Sequence, residues 1–229
     1  MNTKKEKIMS KLKIAIDGPS GVGKSTVSDD VAKALKIHHL NTGALYRSFA
    51  YGIKKLGVEP NDEKLVVASI DKIDLVVKFN EDGLQLNYVN GELVNDFIFN
   101  NEIALLSSKI SIYKDVRKHI VSLQRHIANE FDIVLEGRDI CEVVLPDANY
   151  KFFLTASAKA RAERVTKMYQ GKGQKISYDE VYKGLVDRDY QDSHREISPL
   201  RQAPDAILID ASNISQQEVV EKILQTIKK

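Results

Sequence analysis

Apolar positions along the chain recur with two periods, and the switching between them predicts the fold. Lys11–Asp17 (KLKIAID) is apolar at 12, 14, 15 and 16 and stops at an acid and a glycine, the pattern of a buried strand entering a loop. From Gly23 to Lys36 the spacing changes, and Val27, Val31, Ala34 and Leu35 fall on one face of a helix. Ile37–Leu40 is a second short apolar run, followed by a helical pattern over about Thr42–Leu56.

Residues 59–100 differ in character. Leu75–Phe79 and Leu84–Val89 read as strands, with Asp82-Gly83 between them and Asn90-Gly91 after them, both dipeptides that favour tight hairpin turns. A small β-insertion is expected here, then helices over about Asp96–Ile110 and Lys114–Glu130. Short apolar strands resume at Asp132–Leu135, Tyr150–Thr155 and Ala206–Asp210. Charged helices over Ser157–Tyr169 and Asp179–Asp189 flank the polar turn GKGQK, and a helix near Gln216–Ile227 ends the pattern. Strands alternating with helices predict an α/β fold, a parallel sheet wrapped by helices.

Composition narrows the class. The 229 residues suit one α/β core with appended pieces. A net charge of +2 makes no bulk demand for a nucleic-acid or membrane partner. The single cysteine, Cys141, excludes an intramolecular disulfide or a cysteine zinc cage, suits a cytoplasmic setting, and is expected to be a small buried apolar residue. No stretch is long and apolar enough for a transmembrane span. Residues 1–10 have lysines without an apolar region, so they are expected to form a disordered tail rather than a secretory signal, with Met9 an alternative start.

The first chemical motif lies between the first strand and the first helix. Gly18-Pro19-Ser20-Gly21-Val22-Gly23-Lys24-Ser25, with Thr26 following, matches G-x-x-x-x-G-K-[ST]. Glycines let main-chain N–H groups approach phosphate oxygens, and the helix that follows turns its positive end toward the anion. Lys24 would supply an ammonium to the β- and γ-oxygens, and Ser25 a hydroxyl to Mg²⁺. The motif implies ATP but names no reaction. A GTPase would need N-K-x-D to read its base, and that motif is absent from the sequence.

Three further segments are candidates for an acceptor site. Thr42-Gly43-Ala44-Leu45-Tyr46-Arg47 follows the second strand, although Thr42 could simply cap a helix and Arg47 could be a solvated arginine. Glu136-Gly137-Arg138-Asp139 ends a core strand, at the sheet edge where ligands of open α/β sheets bind; the alternative is a surface ion pair. In Asp187–Arg195, residues Arg188, Asp192 and Arg195 share a helix face, which could equally be a solvated charged face.

Taken in order, IDGPSGVGKST, NTGALYR, LEGRD, DRDYQDSHR and SPLRQAPDAILID resemble the bacterial cytidylate kinases from about Lys11 onward. The resemblance implies a P-loop nucleoside monophosphate kinase of pyrimidine metabolism. It further implies a single domain over 11–229, with a core (11–41, 131–160, 200–229), an NMP-binding region (42–130) and a lid (161–199). Ser108, Arg117 and Asp139 would read the cytosine. Arg47, Arg138 and Arg195 would hold the CMP phosphate, and Arg188 and Asp192 would reach the ribose. Thr42 and Tyr46 would lie in the acceptor site, with Arg161 and Arg164 near the lid and ATP. Lys24, Arg138 and Arg188 are the expected catalytic cations.

The chain departs from the family pattern at several places. Glu136 stands where aspartate is usual, Cys141-Glu142 where Gly-Thr is common, and Gln191 and Val165 where arginines are frequent. The expected partners are ATP, CMP and dCMP, with no nucleic acid or membrane, acting on a monomer. The competing readings are a kinase for UMP or another small acceptor, and a nucleic-acid-stimulated ATPase using the basic stretch 159–175.

Overall fold

The computed structural model describes residues 11–171 and 173–228, so the expected tail over 1–10 lies outside the described residues. The chain opens with β1 (Lys13–Asp17), α1 (Lys24–Leu35), β2 (His38–Asn41) and α2 (Thr42–Lys55). Then come α3 (Glu63–Val67), β3 (Leu75–Phe79), β4 (Gln85–Val89) and β5 (Glu92–Leu93). Helices α4 (Asn95–Ile98), α5 (Asn101–Ile110) and α6 (Lys114–Glu130) lead back to β6 (Ile133–Gly137). The remainder is a π-helical turn (Ile140–Val144), β7 (Tyr150–Thr155), α7 (Ala158–Gly171), α8 (Tyr178–His194), β8 (Ile207–Asp210) and α9 (Gln216–Ile227).

The predicted parallel sheet has five strands in the order β2-β6-β1-β7-β8. Alternation along β1 sends Ile14 and Ile16 to one face and Ala15 to the other. On the first face they pack with Val27 and Val31 of α1, Phe152 of β7, and Val219 and Ile223 of α9. On the second, Ala15, Leu40 and Leu135 pack with Phe49 of α2 and Ile120 of α6. A separate small cluster, Ala162, Val181 and Leu185, joins α7 to α8.

The β-insertion is a three-stranded antiparallel sheet. Asn90 and Gly91 take φ of 50° and 82° and turn β4 into β5, a strand the hydrophobic pattern did not indicate. The helix expected over Asp96–Ile110 is broken at Phe99-Asn100. Asn100 leaves the helical path to cap α5, its Oδ1 accepting from the Ile103 amide at 2.9 Å. Thr42 is likewise not the cap of α2: Asn41 accepts from the Ala44 amide at 3.0 Å, and Thr42 is the first helical residue.

Candidate active site

The order of strands reverses around β1, and the crevice of such a sheet opens at the carboxyl ends of its strands. A cavity of about 640 Å³ lies there, lined from the loop after β1, the start of α2, the ends of α5, α6 and β6, and the facing sides of α7 and α8. Seven cationic side chains line it (Lys24, Arg47, Arg117, Arg138, Arg164, Arg188, Arg195) against three carboxylates (Glu136, Asp139, Asp192). That excess of positive charge suits a polyanion.

The phosphate loop is set by steric limits on two sides. A Cβ at Gly18 would sit 2.2 Å from the Leu154 carbonyl oxygen, so the loop can leave the sheet there only without a side chain. Gly23 has open space but φ of 98°, a left-handed conformation that favours glycine. Val22 is turned away from the cavity into the core beside Val27, which anchors the loop. Pro19 contributes through its carbonyl, which accepts from Lys24 Nζ at 2.8 Å. Burial, helped by the Arg138 charge, brings the Lys24 ammonium down to about 7. Ser20, Gly21, Gly23, Ser25 and Thr26 all face the cavity.

Elsewhere in the cavity lining, Asp192 gathers two arginines. Arg138 Nε donates to its Oδ2 at 2.8 Å, and Arg188 Nε stands 3.7 Å from the same oxygen. Burial would raise Asp192, but Arg138 and Arg188 outweigh it and hold the carboxyl below the usual range. Asp139 forms a second node: Arg117 Nη2 donates to it, and Arg195 Nη2 lies 3.8 Å from its other oxygen. The Arg117 guanidinium also lies over the Tyr46 ring, 5.8 Å from its centroid. Burial pushes the Tyr46 phenol up to about 12. Arg47 donates to the Ile98 carbonyl at 3.2 Å, at the break between α4 and α5. Arg195 caps the end of α8 rather than continuing its face, with Nε bonded to the Ser198 carbonyl.

Two expectations shift, and two hold with added partners. Ser108 is absent from the cavity lining, whereas Ser107 and Ser111 line it. Arg161 does not reach the cavity. Its guanidinium donates to the carbonyls of Ala156 (3.0 Å) and Ser20 (2.9 Å) and to Asp189 (2.5 Å), so it ties the phosphate loop to α8. Arg164 stays at the cavity edge, donating to the carbonyls of Ala211 and Ile214 in the loop before α9. Thr42 lines the cavity while its hydroxyl donates to the Glu136 carbonyl at 2.6 Å.

The departures from the family pattern have structural partners. Cys141 is buried, its thiol pushed far up by burial and by Asp17. Glu142 pairs with Arg201 at 2.7 Å. Val165 lines the cavity, and Gln191 is exposed.

Residues that the motifs did not single out also line the cavity, among them Asn41, Met168, Gln216 and Glu136 in a binding role. Asn41 follows the same edge rule as Arg138, standing at the end of β2 with Nδ2 3.4 Å from Ser25 Oγ. Glu136 Oε1 is buried without a hydrogen-bond partner, 3.6 Å from His39 Nε2. Burial alone would raise Glu136, but His39, Lys24 and Ser25 together hold it low. An ionised carboxylate with a free buried oxygen, beside the Ser25 hydroxyl, fits a hard divalent cation. Among the described residues no group of three or more His, Cys, Asp or Glu forms a metal cage, and no helix is long and apolar enough to cross a membrane.

Comparison with known proteins agrees with this geometry. Residues 14–229 match the family model described as cytidylate kinase. A cytidylate kinase of Clostridium botulinum (strain Langeland) is 42% identical over 225 residues, covering 96% of this chain and 100% of that protein. One from Thermotoga petrophila is 42% identical over 215 residues, covering 94% and 96%. In fold, the chain resembles an uncharacterized protein from Eubacterium ventriosum, with a TM-score of 0.54 at 14% identity over 95% of this chain and 98% of that one. With a phosphate loop and a set of arginines facing one cavity, and relatives matching over nearly its whole length, the chain belongs to the cytidylate kinase family.

Proposed function

We propose that the cavity transfers the γ-phosphate of ATP to the phosphate of CMP, with dCMP as a second acceptor, releasing ADP and the nucleoside diphosphate. The observation that carries this reading is the pairing of the Lys24 phosphate loop with Arg47, Arg138, Arg188 and Arg195 around a single cavity. Phosphoryl transfer depends on positioning and charge neutralisation, and the acceptor phosphate is already ionised, so no general base is needed. Arginines suit the acceptor phosphate because their planar forks bind two oxygens and remain protonated.

Lys24 takes the donor phosphates. Asp192 keeps Arg138 and Arg188 together until the acceptor phosphate and ribose arrive. Arg117 and Asp139, against Tyr46, form the polar end that recognises the cytosine. Ser25 and Glu136 would hold the Mg²⁺ that accompanies ATP, which when bound would help to neutralise charge on the donor phosphates. Because α7 and α8 share a small core, the pair can close over the cavity as one lid and exclude water.

The scheme needs no residue from a second copy, so the acting form proposed is a monomer, and its substrates are those of a cytoplasmic enzyme. The polynucleotide-stimulated ATPase reading loses two of its basic contacts, since Arg161 and Arg164 are committed to carbonyls and to Asp189. A coupled assay of ADP release with CMP, dCMP, UMP and AMP offered separately tests the proposal. Turnover with CMP and dCMP is expected. Preference for UMP, or ADP released with RNA and none of the monophosphates, would overturn it.

A further inference from the structure

Asp17 ends β1, one residue before the phosphate loop, and is 1% exposed. It does not line the cavity. Its Oδ1 accepts from the Ile140 amide at 2.9 Å and its Oδ2 from the Cys141 amide at 2.8 Å. These two amides open the π-helical turn that follows Asp139.

An aspartate just before a helical turn ordinarily caps it with its own side chain. Asp139 occupies that place, with φ −147° and ψ 23°, and makes no such bond. Its carboxylate faces the cavity, toward Arg117 and Arg195. Its usual target among these, the Cys141 amide, is taken from across the sheet by a residue 124 positions earlier, together with the Ile140 amide at the very start of the turn.

We infer that Asp17 is a positioning residue for the acceptor site: by capping the turn after Asp139 from the neighbouring strand, it frees the Asp139 carboxylate to hold Arg117 and Arg195. The inference rests on the reading of Arg117 and Asp139 as acceptor-binding groups. Side-chain chemistry accounts for the choice of residue. Two converging N–H donors need two acceptor oxygens, and an asparagine would present one oxygen and one NH₂. The carboxylate is kept although burial pushes it up to about 6, so the fold retains an unfavourable charge at this point.

The test uses full-length Asp17→Asn, Asp139→Asn and the double variant, each compared with the wild type for KM of CMP, KM of ATP and kcat. Asp17→Asn should raise KM for CMP about tenfold, the scale of a lost charge-assisted hydrogen bond. KM for ATP and kcat should stay within about twofold, and the double variant should match Asp139→Asn alone. A defect falling on ATP or kcat, or independent losses in the double variant, would assign Asp17 to the phosphate loop and overturn the inference.

Amide hydrogen exchange supplies a second readout that does not depend on catalysis or on a folded Asp17 variant. In Asp139→Ala, protection of the Ile140 and Cys141 amides should persist, because Asp17 caps them; loss of protection would show that Asp139 does the capping and defeat the proposal. Failure of the wild type to phosphorylate CMP would defeat the functional reading instead and leave the exchange result to decide the capping role.

Discussion

Arg161 donates from Nη2 to Asp189 Oδ2 at 2.5 Å and is not among the residues that line the cavity. The pair joins the phosphate loop, through the Ser20 carbonyl, to the helix that carries Arg188 and Asp192. The Arg161–Asp189 pair thus ties two parts of the site together.

Asp189→Ala should accordingly cost stability before it costs ATP binding. The Arg161 side chain is 5% exposed and would lose its counter-ion, while Asp189 is 27% exposed. Discounting a buried pair for that partial exposure gives a loss of about 1–3 kcal/mol. Denaturant unfolding should show the loss, and KM for ATP should change less than about threefold. A much larger rise in KM for ATP would restore Arg161 to the nucleotide.

Lys24→Met should abolish turnover without weakening the fold. Removing a cation aimed at the transferring phosphate is expected to lower kcat by about 10³-fold or more. Near-normal turnover in the purified variant would remove Lys24 from the mechanism.

The same variant reports on pH. Lys24 titrates at about 7 in the folded chain against a usual 10.5, because burial and Arg138 disfavour its charge. Between those values the unfolded chain holds a proton that the folded chain has released. Wild-type stability relative to Lys24→Met should therefore rise with pH from about 7 to about 10, by about 1.4 kcal/mol per unit at most. Paired urea titrations across that range measure the difference, and a flat or falling difference would contradict the buried, depressed lysine.

Arg188→Ala removes one of the two guanidinium groups that meet at Asp192 and should lower kcat/KM for CMP by about 10²-fold. Steady-state kinetics with CMP varied at saturating ATP would measure it. KM for ATP should be nearly unchanged, which separates loss of acceptor binding from general damage.

Ser107→Ala and Ser111→Ala should each raise KM for CMP a few-fold, on the scale of a neutral hydrogen bond of about 1 kcal/mol, whereas Ser108→Ala should leave it unchanged. Kinetics on the three variants decide between the helix face seen here and the one implied by family resemblance. The opposite ranking would mean that α5 turns when the acceptor binds.

Much of the architecture was legible from local pattern. The strands ending at Asp17, Gly137 and Thr155 could be read because alternation and short apolar runs reflect burial of each segment itself. The phosphate loop could be read because its backbone needs glycine at fixed places. The break at Phe99-Asn100 was hidden: the apolar positions on either side keep helical spacing, while the interruption depends on an asparagine cap and on the Ile98 carbonyl finding Arg47, 51 residues away.

By itself, the sequence determined a parallel α/β sheet, a phosphate loop before its first helix, and the arginines and aspartates of an acceptor site. Tertiary structure decided which of those charges face the cavity. Arg138 meets Asp192 across 54 residues, Arg161 is drawn inward by Asp189, and Asp139 is left free because Asp17 takes its capping duty. Periodicity and backbone sterics act within a few residues and can be read along the chain. The pairing of charges depends on which distant side chains packing brings within hydrogen-bond reach, and only the folded chain sets that.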